Sequence, residues 1–229
     1  MKTFDKKIAV IIPAYNEERR IGSVIEGIKS LKMDLDIIVV DDGSIDETAK
    51  KAKELGARVC RHIVNRGVGA ATKTGIYFAL ELGAELLVFI DADGQHNPKE
   101  IPKLIEPIAR GEADVVLGSR FRGDTSSMPL VKRFGNKILN FVVRLLYGVK
   151  YTDTQCGFRA ISRDVALLMK KLDIERYGFL SEMLGEINKR KLRVVEVPVE
   201  TIYTDKKGTD ILDGISIVVD LLVRRFVRW

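Results

Sequence analysis

Apolar runs of strand length alternate with stretches of helical periodicity through the first half of the chain. The continuously apolar Ile8–Ile12 predicts a buried strand, and Ile37–Val40, Ala57–His62, Leu86–Ile90 and Asp114–Leu117 predict four more strands. Between them, Glu17 to Leu31 sets Ile21, Val24, Ile25 and Ile28 at helical spacing. Asp46–Leu55, Gly69–Leu82 and Pro98–Arg110 predict further helices, with Gly56 and Gly83 as stops. Repeated βα units with strands apolar on both faces imply an α/β fold: a mostly parallel central sheet with helices on both faces. In such sheets ligands bind beyond the carboxyl ends of the strands. Three polar clusters fall at that edge: Asn16-Glu17, Asp41-Asp42 and Asp91-Ala92-Asp93.

After Gly118 the pattern changes. A polar loop spans Arg120 to Pro129, followed by a basic helix from Leu130 to Tyr147, a turn-rich segment Asp153–Gly157, helices near Arg163–Lys171 and Leu180–Arg190, and a strand Arg193–Val197. From Ile211 to Trp229 an apolar stripe of Ile215, Val218, Val219, Leu222, Phe226 and Trp229 opposes Asp213, Ser216, Asp220 and Arg224. That pattern predicts a C-terminal amphipathic helix that docks on the core or lies on an anionic membrane. Residues 1–205 therefore read as one α/β domain, and 206–229 as a loop plus that helix.

With 229 residues, 46% of them hydrophobic, the chain has apolar material for one full α/β core. No run reaches the roughly 18–20 apolar residues that span a bilayer. The longest, Ile138 to Val149, is broken by Asn140, Arg144 and Gly148. Met1 to Lys7 lacks a signal-peptide pattern, so a cytosolic location is expected, either free or on the cytosolic membrane face. Cys60 and Cys156 match no metal-ligand spacing and read as tolerated thiols. The formal charge of +6 favours an anionic partner. Neither zinc-finger spacing nor an RNA-recognition aromatic motif accompanies that charge, so no nucleic acid is expected. Oligomeric state, a homo-oligomer included, is open.

The sharpest chemistry lies at the end of the fourth predicted strand, Leu86-Leu87-Val88-Phe89-Ile90-Asp91-Ala92-Asp93-Gly94-Gln95-His96. In extended backbone Asp91 and Asp93 point the same way across Ala92. Two converging carboxylates repel unless a cation lies between them. Hard oxygens suit Mg2+ or Mn2+, which retain water and phosphate oxygens as further ligands. Read alone, the pair is better explained as a helix cap plus a turn aspartate, with Pro98 opening the next helix, and the other clusters reverse that preference. In Pro13-Ala14-Tyr15-Asn16-Glu17, Tyr15 can cover a flat base and Glu17 can accept from its edge. In Val40-Asp41-Asp42-Gly43-Ser44-Ile45-Asp46, one carboxylate can accept from a ring N–H, while Asp46 reads as structural. Asn65-Arg66-Gly67-Val68-Gly69 lets backbone approach a phosphate, without the lysine of a P-loop.

Together, Val10–Glu17, Val39–Asp46, Asn65–Gly69, Asp91–Gln95, Gly118-Ser119-Arg120, Gly157-Phe158-Arg159 and Glu196-Val197-Pro198-Val199 resemble the inverting glycosyltransferase family 2, of GT-A fold. The last three look like the branch that charges a polyprenyl (dolichyl) phosphate with one sugar. The resemblance implies that Pro13, Tyr15, Glu17, Val40 and Asp42 hold the base and ribose of a nucleotide-sugar, with Gly69 and Ala92 beside it. It implies that Asp91, Asp93 and Gln95 hold Mg2+ or Mn2+ and the diphosphate. Arg120 with Lys132 or Arg133 would receive the acceptor's phosphate, and Glu182 would orient a sugar hydroxyl. Where mannose synthases carry an arginine and a lysine after Glu-Val-Pro, this chain has Thr204 and Asp210, with Lys206 and Lys207 nearby. Its Thr201-Ile202-Tyr203 is more similar to relatives that use UDP-sugars. Two other readings stay open: a GT-A transferase with a soluble or polysaccharide acceptor, and a non-catalytic nucleotide-binding module.

Overall fold

In the computed structural model, residues 6–123, 128–171 and 179–202 are described. The sheet has seven strands in the order β3-β2-β1-β4-β6-β5-β7. Its first half comprises β1 (Ile8–Ala14), β2 (Leu35–Asp41), β3 (Arg58–Arg61) and β4 (Leu86–Phe89), all parallel. The second half holds β5 (Val115–Ser119), β6 (Arg159–Ser162) and β7 (Val194–Pro198). β6 runs antiparallel between β4 and β5, while β7 is parallel to β5. The helices are α1 (Ile21–Lys29), α2 (Thr48–Glu54), α3 (Val68–Glu81), α4 (Ile101–Ala109), α5 (Leu130–Tyr147), α6 (Arg163–Met169) and α7 (Phe179–Lys189).

Both faces of the sheet are buried. Ala9, Ile11, Ile38, Val40 and Leu87 face α3, α6 and α7. Val10, Ile12, Val39, Leu86 and Val88 face α1 and α4. Each such Val, Leu or Ile side chain is worth about 1.5–3 kcal/mol when fully buried, and burial on alternate faces explains why β1 and β4 are apolar at every position. α3 crosses β1 at Gly75, where an added Cβ would meet Ile11 Cγ2 at 2.4 Å. Only a glycine allows that helix to sit so close.

The chain departs from the sequence expectations at definite places. β1 extends through Pro13 to Ala14. Pairing with β4 stops at Ile11, so Pro13 lies beyond the doubly paired part of the strand and its missing N–H disrupts no ladder there. α1 begins at Ile21, not Glu17, because Glu17 O caps a turn by accepting from Arg20 N and Ile21 N. β6 was not expected at all. It is four residues long, opens on an arginine and runs directly into α6. The expected amphipathic helix after Ile211 lies outside the described residues.

Candidate functional site

The order of strands reverses between β1 and β4, with β2 and β3 built outward on one side and the later strands on the other. The loops after those two strands diverge there and leave a crevice. β1 delivers Tyr15, Asn16 and Glu17 to its rim, and β4 delivers Asp91, Ala92 and Asp93. Tyr15 is 46% exposed, so its ring is available to a ligand. Glu17 is buried, with Oε2 3.2 Å from Arg20 Nη1 and its amide donating to Thr48 Oγ1 at 2.8 Å. Asn16 takes a left-handed conformation, φ +53, fixed by Ser44 Oγ, which accepts from its amide, and by its own Oδ1, which accepts from Ile45 N. Asp46 accepts from Glu18 N and Thr48 N. Burial pushes its carboxyl up, but those bonds and the Thr48 hydroxyl outweigh burial and hold it below the usual range. Asp46 thus joins the loops after β1 and β2, in keeping with a structural role.

Asp42 is buried and stitches the loop after β2 to the one before α3. Its Oδ1 accepts from Arg66 N at 3.0 Å and lies 2.6 Å from His62 Nδ1, and its Oδ2 accepts from Gly67 N at 2.7 Å. His62 continues to Thr74 Oγ1 at 2.9 Å. Gly43 (φ +76) permits the contact, since a Cβ there would strike Val64 C at 2.7 Å. Asp42 therefore shapes this wall as much as it faces a ligand. Val40 packs wholly inside the core, which leaves only its backbone to serve a ligand. Gly69 is buried in the first turn of α3.

The turn after β4 is the centre of the crevice. Asp91 has 42% of its side chain exposed, Ala92 is buried beneath it, and Asp93 Oδ1 accepts from Gln95 N at 3.0 Å. Behind Asp91 stands the loop from Asp153 to Phe158. A Cβ on Gly157 would come within 2.5 Å of Asp91 Oδ2 and 2.8 Å of Oδ1. The bare glycine is what lets the carboxylate stand there. His96 is buried with Nε2 3.8 Å from Asp91 Oδ2, and its ring packs on Phe158 with centroids 5.1 Å apart. Burial holds this imidazole below its ordinary pKa, against the pull of Asp91.

Two arginines lie behind the turn. Arg159, the first residue of β6, is buried and donates to Cys156 O. Burial lowers its pKa to about 10, partly offset by nearby groups including Asp91 and Asp153, so it stays charged at neutral pH. Arg120 grips buried Asp153 with Nε to Oδ2 at 2.7 Å and Nη2 to Oδ1 at 2.9 Å. Burial raises the Asp153 carboxyl, but Arg120 outweighs it and holds the group below the usual carboxylate range. Burial pushes the Cys156 thiol up to about 12, and both cysteines are free, as expected of structural thiols.

The remaining expected residues lie on neighbouring elements. Gln95 O accepts from Ile202 N at 2.8 Å, and His96 bridges to Thr201, so the segment after β7 runs along the turn. Arg133 is in the first turn of α5 and Glu182 in the first turn of α7. The Lys132 side chain, and Tyr203 onward with Thr204, Lys206, Lys207 and Asp210, lie outside the described residues. Among the described residues no group of three or more His, Cys, Asp or Glu could hold a metal ion. Two half-open carboxylates with a hard-oxygen set fit a cation that keeps water or phosphate ligands, and do not fit a closed protein cage. Sequence reasoning missed His62, His96 and Asp153. Asp153 had one signal, its place in a turn-rich run just ahead of Gly157-Phe158-Arg159.

The profile of Glycosyl transferase family 2 matches residues 9–167. The chain is 41% identical over 242 residues to UDP-N-acetylglucosamine--dolichyl-phosphate N-acetylglucosaminyltransferase of Methanococcus voltae, covering 96% of each protein. It is 32% identical to polyprenol monophosphomannose synthase of Mycolicibacterium smegmatis, over 93% of this chain and 83% of that one. Glucosyl-3-phosphoglycerate synthase of Mycobacterium tuberculosis, solved with Mn2+, uridine-diphosphate and glucosyl-3-phosphoglycerate, superposes with a TM-score of 0.76. That likeness covers 96% of this chain and 80% of the other at 26% identity. With its crevice at the switch point between β1 and β4, the chain belongs to glycosyltransferase family 2 and is a glycosyltransferase of GT-A fold.

Proposed function

We propose that this enzyme transfers one sugar from a UDP-sugar to a polyprenyl phosphate, with inversion and with Mg2+ or Mn2+ as cofactor. The observation that carries the reading is the Asp91–Ala92–Asp93 turn at the switch point, its first carboxylate accommodated by bare Gly157. Relatives named for dolichyl- and polyprenyl-phosphate transfer support the acceptor. The relative named for UDP-N-acetylglucosamine and the neighbour solved with UDP and Mn2+ support a uridine donor over GDP-mannose.

In this reading Tyr15 covers the base, and the buried Glu17 and Asp42 keep the two rim loops in place to receive base and ribose. Asp91, Asp93 and Gln95 would hold the cation, and its charge would offset that of the departing diphosphate. A lipid-linked phosphate is already a nucleophile near neutral pH, so no strong base is required. Its oxygen attacks the anomeric carbon from the side opposite the diphosphate. Configuration inverts as the bond to the leaving oxygen breaks. The main task is to bring two anions together, by positioning and by charge. Lys132 and Arg133 supply positive charge for the acceptor, while Arg120, fixed by Asp153, forms a rigid wall. Glu182 would orient a sugar hydroxyl. A membrane-lipid acceptor implies work at a cytosolic membrane face.

The test is transfer from radiolabelled UDP-N-acetylglucosamine, UDP-glucose and GDP-mannose to a polyprenyl phosphate with Mn2+. Asp93→Ala should abolish transfer while melting like the parent. Full activity in that variant refutes the metal assignment. Transfer only to phosphoglycerate or an oligosaccharide refutes the acceptor.

A further inference from the structure

Helix α5 is apolar on two opposite faces. One face packs on the molecule: Val143 is fully buried, Leu139, Leu146 and Tyr147 border the core, and Asn140 is buried among polar loop atoms. The other face carries Val131, Phe134, Ile138, Phe141 and Leu145, all between 46% and 75% exposed. Their spacing of three and four residues draws one stripe down the helix. At 1.5 Å per residue the stripe is about 21 Å long. Leu130–Tyr147 contains four cations, Lys132, Arg133, Lys137 and Arg144, and no acidic residue. Arg133, Lys137 and Arg144 fall together on one flank of the stripe, one and then two turns apart. Lys137 and Arg144 are exposed, and among the described residues Arg144 donates only to the neutral Tyr151 carbonyl, at 2.9 Å from Nη2, with no carboxylate paired to it.

From this arrangement we infer that the outer face of α5 docks on the surface of an anionic lipid bilayer. An amphipathic helix with two exposed phenylalanines, a row of cations and no acid is built to sink its apolar side below the headgroups. The charge argues against a second copy as the occupant, because pairing two stripes would bring like charges together. The inner face connects this docking to the crevice. Asn140 Nδ2 donates to Thr152 O at 2.8 Å and Asn140 Oδ1 accepts from Thr154 N at 2.9 Å. Those residues lead into Asp153, which holds Arg120, and Gly157, which stands against Asp91. The helix that touches lipid thus also fixes the loop behind the reaction centre. The docking rests on α5 alone, whereas its use in delivering a lipid phosphate rests on the proposed reaction.

The intact chain should co-sediment with vesicles of phosphatidylglycerol and phosphatidylcholine (1:1) and hardly with phosphatidylcholine alone. Binding should weaken from about 0.1 to about 0.5 M salt, as the Debye length shortens from about 10 to about 4 Å. Phe134→Ser with Phe141→Ser should lower partitioning at least about tenfold, since two aromatic anchors are lost. Lys137→Glu should lower it severalfold, and Phe226→Ser in the C-terminal segment should leave it intact. Circular dichroism melting verifies that each variant is folded. In detergent, transfer to polyprenyl phosphate should be equal for parent and double variant, and slower for the variant only when the acceptor is in vesicles. The inference is overturned if the parent does not sediment, if the double variant binds like the parent, or if Phe226→Ser alone removes binding. It is also overturned if the stripe proves to hold a dimer that ignores vesicles. Failure of transfer with every donor, vesicle binding persisting, would sink the reaction and leave the docking standing.

Discussion

Gly157→Ala separates the geometry of the reaction centre from the stability of the fold. The new Cβ would lie 2.5 Å from Asp91 Oδ2, against about 3.4 Å for an ordinary contact, so the carboxylate must retreat by about 0.9 Å. Gly157 does not have a positive φ, and alanine adopts its backbone without strain. Asp91 is half-open to solvent, so it can rotate away at about 0.5–1.5 kcal/mol. The loss of unfolded-chain entropy returns about 0.4–1 kcal/mol. The melting temperature should therefore shift by no more than about 3 °C. Catalysis depends on position more steeply, and a displacement near 1 Å costs on the order of 100-fold in rate. That equals about 2.7 kcal/mol of transition-state stabilisation. Initial rates of sugar transfer should fall by about two orders of magnitude, and Mn2+ affinity by calorimetry with UDP present should weaken in parallel. A variant with rate and affinity within twofold of the parent would show that the Asp91 carboxylate's place does not matter, and the reasoning would fail.

Two helical glycines should respond with opposite sign. Gly75→Ala drives a methyl into Ile11 and should destabilise by about 1–3 kcal/mol despite the better helix propensity. Gly135→Ala in α5 meets nothing within 4 Å and should stabilise by about 0.5–1 kcal/mol, both measured by urea unfolding. Asp153→Asn leaves Arg120 without its carboxylate and should cost about 3 kcal/mol at pH 7. Because the folded pKa of Asp153 is depressed, its contribution is complete above the ordinary carboxylate value near 4. It disappears as pH falls through the folded value, so melting curves of parent and variant should differ steadily from pH 7 to about 5 and converge in stronger acid. Asp42→Ala removes the acceptor for Arg66 N and Gly67 N and should weaken UDP binding by about tenfold or more, read by calorimetry, with a smaller change in kcat.

The centre of the parallel half was legible because β1 and β4 are buried on both faces and apolar throughout, as in Ile8–Ile12 and Leu86–Ile90, whereas edge strand β3 reads Arg-Val-Cys-Arg and is exposed at both ends. The rim residues were legible because carboxylates at the ends of such strands have few other reasons to be there. β6 was not legible: a buried arginine begins it, and the Cys156 carbonyl that satisfies part of that guanidinium is a backbone group of the preceding turn, which no side-chain pattern signals. The place of Arg120 could not be read either, since its partner Asp153 is 33 residues away. Spacing identified Leu130–Tyr147 as a helix correctly, but which apolar face meets the core depends on the packing of α7 and the Thr152–Thr154 loop. The two faces of α5 look alike in sequence.

The most direct test of the account is anomalous scattering from crystals grown with Mn2+ and UDP. The account predicts one strong manganese peak at the β4 turn, within coordination distance of Asp93 or Asp91 and of both phosphates. A diphosphate bound in the crevice with no manganese beside those carboxylates would contradict it.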